Sequence, residues 1–132
     1  MSEQPILQVE NLEKRFTVRT SHFGKHGIIH AVNRVSLSIG RKETLGLVGE
    51  SGCGKSVTAS SILRLRPAGL SRIDAGSVRC GGRELTTLSD REMRQVRGKE
   101  IAMIFQDPLT SLNPVQRVSR QMAEMLRAHG GG

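Results

Sequence analysis

"GLVGESGCGKS", residues 46–56, places four residues between Gly49 and the run Gly54-Lys55-Ser56. A loop that wraps a phosphate must turn several backbone N–H groups toward one anion, and bulky side chains block that approach. Gly49 and Gly54, with Gly52 between them, remove the obstruction. In the pattern G-x-x-x-x-G-K-[ST] the lysine reaches the β- and γ-phosphates of a nucleotide and the hydroxyl sits on Mg2+, roles that fall here to Lys55 and Ser56. Glycine is about 7% of average sequence, so this pattern arises by chance in roughly one chain of this size in a hundred or fewer. The flanks narrow the odds further. "TLGLVG" (44–49) is nearly continuous in apolar residues and is expected as a strand buried on both faces. Over 55–66, Val57, Ala59, Ile62, Leu63 and Leu65 recur at helical spacing until Pro67 stops the pattern. That helix points its positive N-terminal end at the same phosphates.

The remainder of the composition permits this reading without requiring it. The chain has 132 residues, the size of one domain, with 36% apolar residues and three aromatics, Phe16, Phe23 and Phe105. Any core must therefore rest on Val, Ile, Leu and Met. The formal net charge of +8 suits a phosphorylated ligand, an anionic lipid or a nucleic acid. The basic residues are scattered, with no stripe interleaved with aromatics, and no nucleic-acid partner is expected. Cys53 and Cys80 form neither a C-x-x-C nor a disulfide framework, which fits a reducing cytosol. The opening "MSEQPILQVENLEKRF" has no apolar core of a signal peptide, and no window approaches a membrane span.

Along the chain, "ILQVENL" (6–12) and "KRFTV" (14–18) read as two short strands, residues 19–30 as a loop, and the alternating "VSLSI" (35–39) as a half-buried strand. "GSVRCGGREL" (76–85) has glycines where a hairpin would bend. "SDREMRQVRG" (89–98) opens with Ser89 and Glu92 in capping-box spacing and ends on a glycine, the signature of a short polar helix. "IAMIF" (101–105) is expected as a second buried strand, followed by a proline-bearing turn (106–115). From Val118 a further helix carries Met122, Met125 and Leu126 on one face. His22, His26 and His30 recur every four residues. On a helix they would span roughly 12 Å, too far to share one ion, and Gly24 and Gly27 argue for a solvated loop.

Gln106 follows the strand "IAMIF", where a glutamine can reach the metal and the attacking water of a nucleotide site. Alone it reads more readily as an ordinary strand-to-turn residue. The pair "GLVGESGCGKS" and "MIFQDPLTSLNPV" resembles the ATP-binding subunits of ABC importers, most closely those of the dipeptide and oligopeptide branch. "AVNRVSLSIGRKETLGLVGESGCGKS" resembles that branch throughout, and the likeness runs from about residue 6 to 129. It implies an α/β P-loop NTPase fold with an antiparallel β subdomain and the start of a helical subdomain. It implies ATP and Mg2+ as ligands, with Gly49, Glu50, Ser51, Gly52, Cys53, Gly54, Lys55 and Ser56 as the Walker A loop. Val57 stands where the family usually has Thr or Ser. The resemblance makes Gln106 the Q-loop residue, touching Mg2+ together with Ser56. It places Phe16, or its rival Phe23, where the family has an aromatic that stacks on adenine; Phe16 also reads as a plain strand core residue. It further implies membrane permease subunits docking after Gln106, pairing with a like or related ATP-binding subunit, and a place on the cytoplasmic face of the plasma (inner) membrane.

The family's signature motif, Walker B carboxylates and switch histidine have no counterpart in this sequence, and His129 comes too early for the last. Residues 1–132 are therefore expected to be a partial nucleotide-binding domain, running from Walker A through the Q-loop. Alternatives are a nucleotide-binding module without ATPase activity, or a soluble ABC-type ATPase acting on nucleic acid. Nickel importers share the branch, so the cargo is not legible here. The chain alone is expected to bind ATP weakly or not at all, to be poorly soluble and not to hydrolyse ATP, since phosphoryl transfer to water needs an oriented nucleophile. Cys53, lying in the loop, is expected to be the more reactive thiol.

Overall fold

The computed structural model describes residues 4–19, 26–65, 71–107 and 111–130. The expectations resting on His22, Phe23, Pro67 and the turn's 108–110 lie outside them. The chain divides into two compact units, Met1–Ser89 and Asp90–Gly132.

The first unit is built on a four-stranded antiparallel sheet. Its strands are β1 (Leu7–Arg19), β2 (His26–Ile39), β3 (Ser71–Cys80) and β4 (Arg83–Glu84), in the order β2-β1-β3-β4. The central strand β1 is continuous where two short strands were expected. Asn11, at φ 47°, absorbs the irregularity: the register steps from Val9↔Leu37 to Leu12↔Val35, three residues against two. This is a bulge, which bends and twists the strand without ending it. The third register shift skips Ala31 of β2, because Lys14 faces Val32 while Arg15 faces His30. Residues 26–30, expected in a loop, are strand. Ile28 and Ile29 there carry the branched side chains that favour a pleat.

The bulge at Asn11 shifts the alternation along β1 by one residue, so that Val9, Leu12 and Lys14 are all buried. Val9 and Leu12 meet Val32 of β2 and Val78 and Cys80 of β3 in one buried set, completed by Leu85 just past β4. Truncating Leu12, which is fully buried, to alanine would cost about 2–5 kcal/mol. The helix α1 (Lys55–Ile62) ends earlier than the apolar spacing suggests. Arg64 follows it in the left-handed region at φ 51°, and its guanidinium donates to the carbonyls of Leu85 and Leu88. That tie fixes the end of α1 to the segment after β4. Thr58 and Ser61, both buried, donate their hydroxyls to the carbonyls of Gly54 (2.9 Å) and Val57 (2.6 Å). Back-bonding of this kind lets small polar residues enter a core without stranding a hydroxyl.

Two expected strands are absent. Residues 44–49 form no ladder, and Val48 is 91% exposed. Residues 101–105 contribute only a parallel bridge between Arg97 and Ile101, with Ile104 95% exposed. A strand buried on both faces needs hydrogen-bonding neighbours on both edges and cover above and below. Among the described residues no strand pairs with 44–49. The apolar composition was read correctly; the pairing it requires is not present.

In the second unit the expected short helix is α2 (Asp90–Val96), with Met93 and Val96 fully buried. The later helix is α3 (Val118–Ala128), as the spacing predicts. Its apolar residues Met122, Met125 and Leu126 are exposed rather than packed. Gln121 braces the preceding turn, its amide accepting from Asn113 N–H (2.9 Å) and donating to the carbonyls of Asn113 (3.0 Å) and Gln116 (2.8 Å).

The β3–β4 hairpin turns at Gly81-Gly82 as expected, and Glu84 locks it. Its carboxylate accepts from the hydroxyls of Ser77 and Thr86, from Val78 N–H (3.1 Å) and Thr86 N–H (3.3 Å), and pairs with Arg79 (3.3 Å). Burial pushes this carboxyl up, but the hydrogen bonds from Ser77, Thr86 and the two N–H groups outweigh it and hold it at about 2, below its ordinary 4.5. A depressed carboxyl contributes stability that is present above its unfolded value and lost as pH falls through the folded one. Urea unfolding followed between pH 4.5 and 2 should therefore show a steeper loss of stability in the parent chain than in Glu84→Gln. Parallel curves would contradict the role assigned to Glu84.

Candidate functional site

The phosphate-loop residues converge between the sheet and α1. Gly54 is the N-cap of α1, in the left-handed region at φ 94°, and no side chain caps the helix. A β-carbon at Gly54 would lie 2.6 Å from the carbonyl oxygen of Ala31, the residue that the β1–β2 register skips. Only glycine meets both demands, the positive φ and the close approach. Thr58 N–H closes the first helical turn on Gly54 O at 2.8 Å. The N–H groups of Lys55, Ser56 and Val57 precede that bond and have no carbonyl within the helix to receive them. The first turn also contains no acidic residue. Three converging donors at a positive helix end favour an anion by about 0.3–1 kcal/mol from the dipole alone, and up to about 2 where partly buried.

Lys55 lies back over the loop. Its ammonium donates to Gly49 O (2.6 Å) and Glu50 O (2.8 Å) and comes within 3.5 Å of Cys53 Sγ. A β-carbon at Gly49 would be 2.5 Å from that sulfur, the end of an exposed side chain that can turn away, so Gly54 alone is fixed as glycine by space and φ together. Cys53 N–H turns back to Glu50 O at 3.3 Å. Glu50, Ser51, Gly52, Cys53 and Ser56 are exposed, and Val57 is half-buried. The Ser56 hydroxyl takes no partner among the described residues.

Phe16 sits on β1, half-buried, opposite Ile29 of β2 and Ser71 of β3. Ile29 is two residues from Ala31, so Phe16 comes to roughly 8 Å, Cα to Cα, from the carbonyl-bearing residue that borders Gly54. Lys14 Nζ lies over the Phe16 ring, 5.3 Å from its centroid. Gln106 belongs to the other unit, where it is exposed.

Three participants were not singled out from the sequence. Ala31 gives no signal, because a bulge is set by register. Thr58 was legible as the fourth residue after Gly54 in a helix. Lys14 carried a clear signal: a charge at an inward position between Leu12 and Phe16. Among the described residues no group of His, Cys, Asp and Glu is arranged to hold a metal ion.

Residues 32–129 match the family profile described as ABC transporter. The chain is 50% identical over 125 residues to a probable peptide ABC transporter ATP-binding protein of Sinorhizobium fredii, covering 95% of this chain and 36% of that protein. It is 52% identical over 127 residues to a putative peptide import ATP-binding protein of Brucella abortus, covering 96% and 36%. It is 44% identical over 126 residues to a probable D,D-dipeptide transport ATP-binding protein, DdpD, of Escherichia coli, covering 96% and 37%. The chain thus spans a little over a third of the length of these relatives.

Cys53 is exposed in the loop and Cys80 is buried in the sheet. Maleimide should label Cys53 first, and Mg·ATP should slow that labelling by covering the loop. Labelling at Cys53 that is indifferent to nucleotide would count against the loop as the binding site.

Proposed function

The chain belongs to the ABC transporter family, and on that premise we propose that it is the nucleotide-binding part of the ATP-binding component of a di- or oligopeptide importer. The observation that carries the reading is the loop 49–57: a helix start at Lys55 with no side-chain cap, a β-carbon-free approach at Gly54 and the Lys55 ammonium folded back over Gly49 and Glu50.

These residues fit a nucleoside triphosphate with its metal. The N–H groups of 55–57 and the ammonium of Lys55 would take the phosphates. Lys55 now donates to the carbonyls of Gly49 and Glu50 and to Cys53 Sγ, and an anion in the loop would take the N–H that the sulfur, a weak acceptor, now holds. Ser56, with an exposed hydroxyl, would hold Mg2+, and the family resemblance alone assigns Gln106 to the metal. Phe16, two residues along the ladder from the loop's anchor, would carry the adenine. Bound ATP supplies a phosphoanhydride whose charge the loop neutralises; the chain's own residues bind and orient it.

The peptide importer reading draws on the printed descriptions of relatives at 44–52% identity. The exposed apolar residues Leu112, Val115, Val118, Met122, Met125 and Leu126, all following Gln106, support contact of this region with membrane permease subunits. No helix among the described residues is long and apolar enough to cross a membrane. We place the protein at the cytoplasmic face of the plasma (inner) membrane, held by those subunits and paired with a like or related ATP-binding subunit.

Lys55→Ala should abolish Mg·ATP binding, followed with a fluorescent nucleotide analogue, because it removes the one side-chain cation that the loop gathers. Arg83→Ala, in the β3–β4 hairpin, should leave binding unchanged. Equal binding by the parent chain and Lys55→Ala would sink the assignment.

A further inference from the structure

Lys14 is the feature of the first unit that the phosphate loop does not explain. It is 3% exposed, on a strand face whose inward neighbour is the fully buried Leu12. Burying an ammonium is unfavourable unless its charge is met by suitable partners. One of those partners is aromatic: the Phe16 ring, two residues on along β1, lies beneath Lys14 Nζ at 5.3 Å from the centroid. Successive odd or even residues of a strand share a face, so Leu12, Lys14 and Phe16 line up on one side of β1. The same strand faces β2 beside Ala31, which the register skips and against which Gly54 is seated.

We propose that Lys14 is a positioning residue for nucleotide binding: its buried ammonium anchors one face of the Phe16 ring and presents the other face to the base. This rests on the reading of Phe16 as the adenine platform. Two physical effects follow from the arrangement. The ammonium fixes the ring's orientation, so less side-chain freedom is lost when a base stacks. It also draws π density toward itself, which lessens the repulsion between the π clouds of ring and base on the opposite face. The ligand class it favours is a purine nucleotide, as against a bare polyphosphate, which needs only the loop.

That difference supplies the test. Calorimetric titration of the whole chain with Mg·ATP, and separately with Mg·tripolyphosphate, is compared across Lys14→Met, Lys14→Arg and Phe16→Leu. Lys14→Met should weaken ATP binding by about threefold to tenfold and leave tripolyphosphate binding unchanged. Lys14→Arg, which keeps a cation over the ring, should stay within about twofold of the parent for both ligands. Unchanged ATP affinity in Lys14→Met overturns the proposal. Equal weakening for both ligands also overturns it, since that is the mark of general packing damage. Phe16→Leu separates the two layers of the argument. If it weakens ATP alone while Lys14→Met does nothing, Lys14 has no such role and the platform stands. If Phe16→Leu leaves ATP affinity intact, the platform reading falls and this proposal with it. Should Lys14→Met fail to fold, the parent chain still decides the matter by NMR. The Lys14 Hε protons should be shifted upfield by the Phe16 ring and should move again on adding ATP but not tripolyphosphate; Lys14 signals indifferent to ATP overturn the proposal.

Discussion

The structure turns on the seat of Gly54 against the carbonyl of Ala31. The carbonyl of Ala31, the residue that the β1–β2 register skips, borders the α-carbon that opens α1. A β-carbon at 2.6 Å from that oxygen would force the loop away from the sheet, and the φ of 94° would add the strain of a left-handed backbone, about 1–2 kcal/mol for an L-residue. From this seat everything at the site takes its place. The first three N–H groups of α1 face outward, Lys55 arches back over Gly49 and Glu50, and the Phe16–Lys14 stack lies a short step along the adjoining ladder. The sheet itself serves the seat. Its buried set of Val9, Leu12, Val32, Val78 and Leu85 holds β1 and β2 in register, and Arg64 pins the far end of α1 to the segment after β4.

Chemistry was more legible in the sequence than pairing. The loop 49–56 could be read because its requirement is local: particular residues at particular offsets, with glycine where no β-carbon fits. The β3–β4 hairpin and the helices α2 and α3 were legible for the same reason, each carrying its own turn or cap residues. The pattern of β1 breaks at Glu13, between 6–12 and 14–18, and nothing local says that a bulged strand runs through. Residues 26–30 were read as loop because histidine and glycine obscure a strand whose partner, residues 15–19, lies across the hairpin. The Lys14–Phe16 stack needed only strand alternation to be found, since a lysine between inward Leu12 and Phe16 must lie on the same face.

The segments 44–49 and 101–105 show the limit of composition. Both are apolar enough for the interior of a parallel sheet, and both are largely exposed. Strand propensity describes how well a residue fits a pleated, half-buried surface, and it acts only where that surface exists. With Val48 and Ile104 almost fully in water, these segments carry apolar area that favours association, as does the face of α3 bearing Met122, Met125 and Leu126.

The central claim is that the phosphates are taken by the backbone at the start of α1. Backbone amide spectra of the 15N-labelled chain, titrated with Mg·tripolyphosphate, test it most directly because the ligand has no base to bind elsewhere. The account predicts that the largest shifts fall on the amides of residues 52–57, while those of the β3–β4 hairpin stay in place. Shifts spread over the exposed arginines with residues 52–57 unmoved would contradict it.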